Sequence, residues 1–177
     1  ILVSDRGIRG LVIDTTSLSG TRVEGTTLVA GAGEPISNVA AAAADHGLAG
    51  LDFIYAMPGS TGGAVWMNAR CYGGEIFDVL AGVELVEPDG REAHYTPQSD
   101  DFGYKRSPFM SRAAVMTSVS FRLRPGDPDE LWPSMREHEE DRRAKGHFAA
   151  PCAGSVFKNN RAFGRPSGAR SEERRVG

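Results

Sequence analysis

Met57-Pro58-Gly59-Ser60-Thr61-Gly62-Gly63-Ala64-Val65-Trp66-Met67-Asn68-Ala69-Arg70-Cys71-Tyr72-Gly73-Gly74 is the stretch around which the chain is organised. Glycines, a proline and two hydroxyl residues lead into an apolar run, which predicts a tight loop feeding a short helix from Ala64 to Cys71. Glycine lets backbone approach a ligand closely. The first N–H groups of a helix point at an anion that the helix dipole also favours, so such a loop can cradle phosphate, with Ser60 and Thr61 adding hydroxyls. The same run also makes a plain turn with a cap, and chemistry alone leaves both readings open. It is neither G-x-G-x-x-G with a following acidic residue nor a Walker A loop, so an ordinary Rossmann or P-loop site is excluded.

Working outward, the upstream chain reads as short β segments between polar turns. The end of a strand at Ile1–Asp5, a turn at Asp5–Gly7 and a strand at Leu11–Ile13 come first, then segments at Ser17–Gly20, Thr21–Val23 and Thr27–Ala30. A strand edge at Leu11–Ile13 would be an association site. Gly31-Ala-Gly-Glu-Pro35 then turns the chain into an alanine-rich helix, Ile36 to His46, ended by Gly47. Gly31 and Gly33 have a ligand reading and a turn reading, and a strand-to-helix turn demands such glycines anyway.

Downstream, Val83–Val86 and Glu92–Tyr95 read as a hairpin around Pro88-Asp-Gly90. Ala114 to Leu123 is the clearest strand, rich in β-branched and apolar residues, and it closes at Pro125-Gly126. Asp127-Pro-Asp-Glu130 caps a charged helix running to Lys145, within which Pro133 marks either a kink or the true first turn. The mixed charges of Arg136 to Lys145 read as a solvated face joining two units.

Two further stretches carry chemistry. Asp100-Asp-Phe-Gly-Tyr-Lys-Arg-Ser-Pro108 sets Lys105 and Arg106 beside Tyr104 and Ser107, either as an anchor for phosphate or carboxylate or as a solvated loop. Pro151 to Asn160 puts Ser155 on flexible backbone with Lys158 and Asn159 nearby. With no G-x-S-x-G and no neighbouring base, Ser155 suits proton donation rather than acyl transfer.

The bulk properties bound the rest. With 177 residues and 40% hydrophobic content the chain builds one domain, or one and part of another. A net charge of -3 gives no general attraction to nucleic acid or anionic membrane, so an anionic ligand must be held by local charge. No apolar run approaches the ~20 residues of a membrane span, and a cytoplasmic protein is the default. Cys71 and Cys152 lack metal or disulfide spacing, and the four histidines are scattered, so no metal site is expected.

The run Gly50–Gly74, read with Phe102–Phe109 and Ala153–Asn159, resembles the flavoenzyme family of UDP-N-acetylenolpyruvoylglucosamine reductase, also called UDP-N-acetylmuramate dehydrogenase or MurB. Leu2–Ile13 and Thr117–Asp127 extend the resemblance, which runs with gaps to Ala169. It implies an α+β fold: a partial FAD-binding domain of the vanillyl-alcohol-oxidase (PCMH) type over residues 1–126, then a connecting helix and the start of a smaller α+β substrate-binding domain over residues 127–169. The family precedes Ile1 with another glycine-rich flavin loop and carries a late glutamate beyond Ala169, so the sequence reads as a fragment, with residues 170–177 a foreign tail.

The resemblance also implies FAD as cofactor, NADPH as co-substrate and reduction of UDP-N-acetylglucosamine enolpyruvate to UDP-N-acetylmuramate, for peptidoglycan and hence bacterial cell-wall synthesis, cell shape and division. Ser155 matches the proton-donating serine. Lys105 falls where the family often has a catalytic arginine, so either Lys105 or Arg106 takes that role. Pro58, Gly59, Ser60, Thr61, Gly62, Gly63, Asn68 and Ile13 are implied cofactor contacts, and Tyr104, Lys158 and Asn159 substrate contacts. The alternatives are another FAD oxidoreductase of the same fold and a non-catalytic fragment.

Overall fold

The computed structural model describes residues 3–150 together with 158, 159 and 164. Ser155 and the tail 170–177 lie outside the described residues. Residues 13–145 form one compact unit; the described residues on either side of it group separately.

Within 13–145 the strands are β1 (Thr21–Glu24), β2 (Thr27–Gly31), β3 (Leu48–Ala49), β4 (Arg70–Cys71), β5 (Gly74–Glu75), β6 (Leu80–Val86), β7 (Glu92–Tyr95), β8 (Val115–Arg122) and β9 (Arg124–Pro125). The helices are α1 (Ile36–Asp45), α2 (Thr61–Met67) and α3 (Pro128–Ala144). Five strands make one antiparallel sheet in the order β1-β2-β8-β6-β7, while β3 pairs β9 and β4 pairs β5.

The strand read as clearest, β8, is the middle of the sheet, with Val119 and Phe121 fully buried against Leu28 of β2 and Val83 of β6. Central placement explains its β-branched, apolar make-up. The expected β6–β7 hairpin turns through Glu87–Arg91, with its register running from Val83 opposite Tyr95 to Val86 opposite Glu92. The alanine-rich helix forms as α1, burying Ile36 and Val39 together with Ala40, Ala43 and Ala44, whose small side chains let the helix sit close to the core.

Three expectations are corrected. Residues 11–13 are not a strand, and among the described residues no segment pairs with them; Leu11, Val12 and Ile13 are exposed, and a strand without a partner leaves its ladder unmade. Nor do residues 3–5 or 17–20 form strands; Leu18 instead closes a turn onto Thr15. The helix after the glycine loop ends at Met67, not Cys71, because Asn68 takes the left-handed conformation (φ 44) that stops helices.

In α3, Asp127 caps the start, Pro128 sits in the first turn, and Pro133 lies inside the helix. Arg136, Glu137, Glu140 and Arg143 are solvated, but the other face is not: Met135 and Arg142 are buried, and Trp132 donates to Asp45 of α1 at 3.1 Å. Trp132, Met135, His138 and Arg142 recur at helical spacing, so a stripe of mixed polarity docks the helix.

Candidate functional site

The glycine loop closes on itself. Ser60 caps α2, its Oγ accepting from the Gly63 amide at 3.2 Å. Glu34 then ties the loop to the start of α1: its carbonyl accepts from both the Thr61 amide and the Thr61 hydroxyl at 2.8 Å. Its carboxylate accepts from the Gly20 amide at 2.7 Å and from Asn38 at 2.9 Å. The Gly62 amide donates to Ala32 at 2.8 Å, and the Ile36 amide to Gly59.

These bonds correct the simple phosphate-cradle picture. The amides of Thr61, Gly62 and Gly63 all have partners inside the protein, so the first turn of α2 does not offer free N–H groups, and Thr61 is fully buried. What the loop presents outward is Pro58, Gly59, Ser60 and Gly63. Gly59 (φ +121) has nothing within 4 Å of where a Cβ would stand, so its backbone is open to close approach. The Ser60 hydroxyl accepts from Gly63 and keeps its proton for an outside acceptor. An open glycine backbone beside a hydroxyl donor suits the phosphates of a dinucleotide.

The other end of α2 carries the second stretch. Asn68, 1% exposed, is spent within the protein: Oδ1 accepts from the Phe77 amide at 3.0 Å, and Nδ2 donates to the Gly103 carbonyl at 3.1 Å and to Glu75 at 3.5 Å. Its side chain therefore braces the site from within. Buried Ser107 donates to the Trp66 carbonyl at 2.6 Å. Between these tethers the Gly103 and Arg106 backbones exchange two 3.1 Å hydrogen bonds, making a tight turn with Tyr104 and Lys105 at its tip.

The turn separates the two cations. The Arg106 guanidinium folds back to donate to the carbonyls of Asp100 (2.9 Å) and Phe102 (3.1 Å), clamping its own loop. Lys105 stands at the tip in the left-handed conformation (φ 50), beside a Tyr104 that is 42% exposed. Beneath the turn Phe102 stacks on Phe77 with centroids 4.8 Å apart, Phe109 meets Tyr95 edge-on, and the Tyr95 hydroxyl donates to Asp101. Burial, then the Asp101 bond and its charge, push the Tyr95 hydroxyl up to about 12.

A second polar cluster joins the β4–β5 turn to α3. Tyr72 stacks on His138 at 3.9 Å and donates to Asp141 at 2.7 Å, while Arg142 lies over the Tyr72 ring and donates to the Cys71 sulfur at 3.3 Å. Burial raises the Cys71 thiol, with Arg142 acting against it. Asp52, Tyr72, Asp78, Arg122 and Arg124 line a cavity of about 440 Å³, and none of the expected site residues does.

The structure thus brings Pro58–Gly63, Asn68, Tyr104, Lys105 and Arg106 onto one braced assembly. Ile13 is exposed on a segment without regular structure; Lys158 and Asn159 are exposed and belong to the other unit. Sequence reasoning passed over the tethering role of Glu34 and the cluster at Tyr72, and it placed Ser107 beside the cations without its bond to Trp66. An acidic residue just before a proline at a helix start, and an asparagine at a helix end, were the available signals.

Sheet, helices and loop together define an FAD-binding domain. A family model described as "FAD binding domain" matches residues 2–96, and the chain belongs to that family. More particularly, it is similar to proteins named UDP-N-acetylenolpyruvoylglucosamine reductase: that of Treponema denticola is 39% identical over 95% of this chain and 57% of its own length, and that of Borreliella burgdorferi 36% identical over 98% and 58%. The crystal structure of the Thermus caldophilus reductase matches 82% of this chain and 53% of its own with a TM-score of 0.68 at 32% identity. The chain therefore spans just over half the length of these relatives.

Among the described residues no three His, Cys, Asp or Glu side chains gather as metal ligands would, and no helix is long and apolar enough to cross a membrane.

Proposed function

We propose that this chain carries the second flavin loop and the anion-recognition turn of a cytoplasmic bacterial UDP-N-acetylmuramate dehydrogenase, which reduces UDP-N-acetylglucosamine enolpyruvate to UDP-N-acetylmuramate with NADPH for cell-wall synthesis. The observation that carries this is α2 itself: one seven-residue helix has the open Gly59–Ser60 loop at its start and the Tyr104–Lys105 turn tethered to its end. The near-complete alignment of the chain with reductases of that name supports the choice of substrate.

Bound FAD would supply the hydride-carrying chemistry. Gly59 and Ser60 would hold its phosphates, with Pro58 and Gly63 flanking and Ile13 on the adjoining segment. The net change adds a hydride to one vinyl carbon and a proton to its neighbour. We assign the proton to Ser155, and the positive charge that stabilises the carboxylate-bearing intermediate to Lys105. Arg106 falls to a bracing role, because its guanidinium is taken by two carbonyls. Tyr104, Lys158 and Asn159 would contact the UDP-sugar. Residues 1–126 then form the FAD-binding part, and residues 127–169 the connection to the substrate-binding domain and its start.

The test is the FAD-loaded chain mixed with NADPH, with and without the enolpyruvyl substrate, following NADPH absorbance. Substrate-dependent loss of NADPH is expected. Loss that ignores the substrate would contradict the assignment.

A further inference from the structure

We propose that Asn68 is a positioning residue that fixes the Tyr104–Lys105 turn relative to the flavin loop; this rests on the functional reading above for its consequence, but not for its geometry. Asn68 is 1% exposed and holds a left-handed backbone that only glycine, asparagine and aspartate adopt readily. A plain helix stop at this position would be served by glycine. The asparagine side chain adds three contacts reaching two other parts of the chain: Phe77 and Glu75 on one side, Gly103 on the other.

The Gly103 carbonyl belongs to the residue whose amide closes the turn onto Arg106. One amide group therefore sets the distance between the end of α2 and the base of the turn that presents Lys105. Since the flavin loop sits one short helix away on the same rigid rod, a shift at Asn68 would move the cation against the cofactor without disturbing either binding element. Misplacement of a charged group by about 1 Å can cost on the order of a hundredfold in rate.

Asn68→Asp tests this almost without steric change. The carboxylate keeps an acceptor for the Phe77 amide and tolerates the backbone, but it turns the donor facing Gly103 and Glu75 into a second acceptor. Backbone amide exchange in the ligand-free chain is expected to speed up on the order of tenfold at Gly103 and Arg106 while staying unchanged at Val83 and Val119 in the sheet. In the FAD-loaded protein, kcat/KM for the enolpyruvyl substrate should fall at least about tenfold with FAD affinity within about twofold. Unchanged exchange at Gly103 and Arg106 would overturn the proposal. Should Asn68→Asp unfold, Asn68→Gly keeps the left-handed backbone, removes only the amide, and decides the question in the same way. A wild-type chain that takes up no FAD would defeat the functional reading, and the ligand-free exchange would still decide the role of Asn68.

Discussion

The Ser107 hydroxyl donates a 2.6 Å hydrogen bond to the carbonyl of Trp66, one of the last carbonyls of α2 and so without a partner inside the helix. Ser107 is 4% exposed, and its removal takes away the partner of that carbonyl. Ser107→Ala should cost about 1–3 kcal/mol in urea unfolding. A loss below about 0.5 kcal/mol would mean that water reaches the helix end and that the tether is unimportant.

Lys105 and Arg106 are neighbours in sequence with different work. Arg106→Ala removes two hydrogen bonds to the carbonyls of Asp100 and Phe102 and should cost about 1 kcal/mol of stability at an exposed site. Lys105→Gly keeps the left-handed turn and deletes the charge. It should weaken UDP-sugar affinity by about tenfold or more, as expected for a lost charge-assisted hydrogen bond. Titration of both variants with the UDP-sugar separates the roles; an Arg106→Ala effect on affinity larger than that of Lys105→Gly would reverse the assignment.

Two tyrosines set an alkaline limit. Burial first, then hydrogen bonds to Asp141 and Asp101 respectively, push the Tyr72 and Tyr95 hydroxyls up to about 12. Unfolded tyrosine loses its proton near pH ~10, so below that both states are protonated and the stabilisation is whole. Above it the unfolded chain ionises first, and stability should fall as pH rises from about 10 to about 12. Tyrosinate absorbance followed alongside unfolding gives the check: an unfolding midpoint that stays level to pH ~12 would show that neither hydroxyl is held neutral by the fold.

The glycines before α1 are packing residues. A Cβ at Gly33 would collide with the Thr15 carbonyl, and one at Gly31 with the carbonyl of Leu18. Gly33→Ala should therefore destabilise by about 1–3 kcal/mol, as overpacking does, with no change in flavin affinity per folded molecule. A folded Gly33→Ala protein that has lost FAD binding would restore the ligand reading of this turn.

Much of this was legible before any coordinates. Local chemistry decided α1, the Asp89-Gly90 hairpin, β8 and the Asp127-Pro128 cap, because each depends on neighbours in sequence. Leu11–Ile13 misled because composition reports strand preference and not whether a partner is present. Arg106 was indistinguishable from Lys105 until the turn between Gly103 and Arg106 folded the guanidinium back. The occupied amides of Thr61 and Gly62 were equally hidden, since their acceptors, Glu34 and Ala32, lie some thirty residues away in the chain.

The central claim is that the loop at Gly59 and Ser60 holds a flavin in this chain. The visible absorption spectrum of the purified protein, loaded with FAD and freed of excess by gel filtration, tests it directly. A flavin band that stays with the protein, and fades when Ser60 is replaced by a bulky residue such as leucine, is the predicted result. A colourless protein with an intact unfolding transition would contradict it.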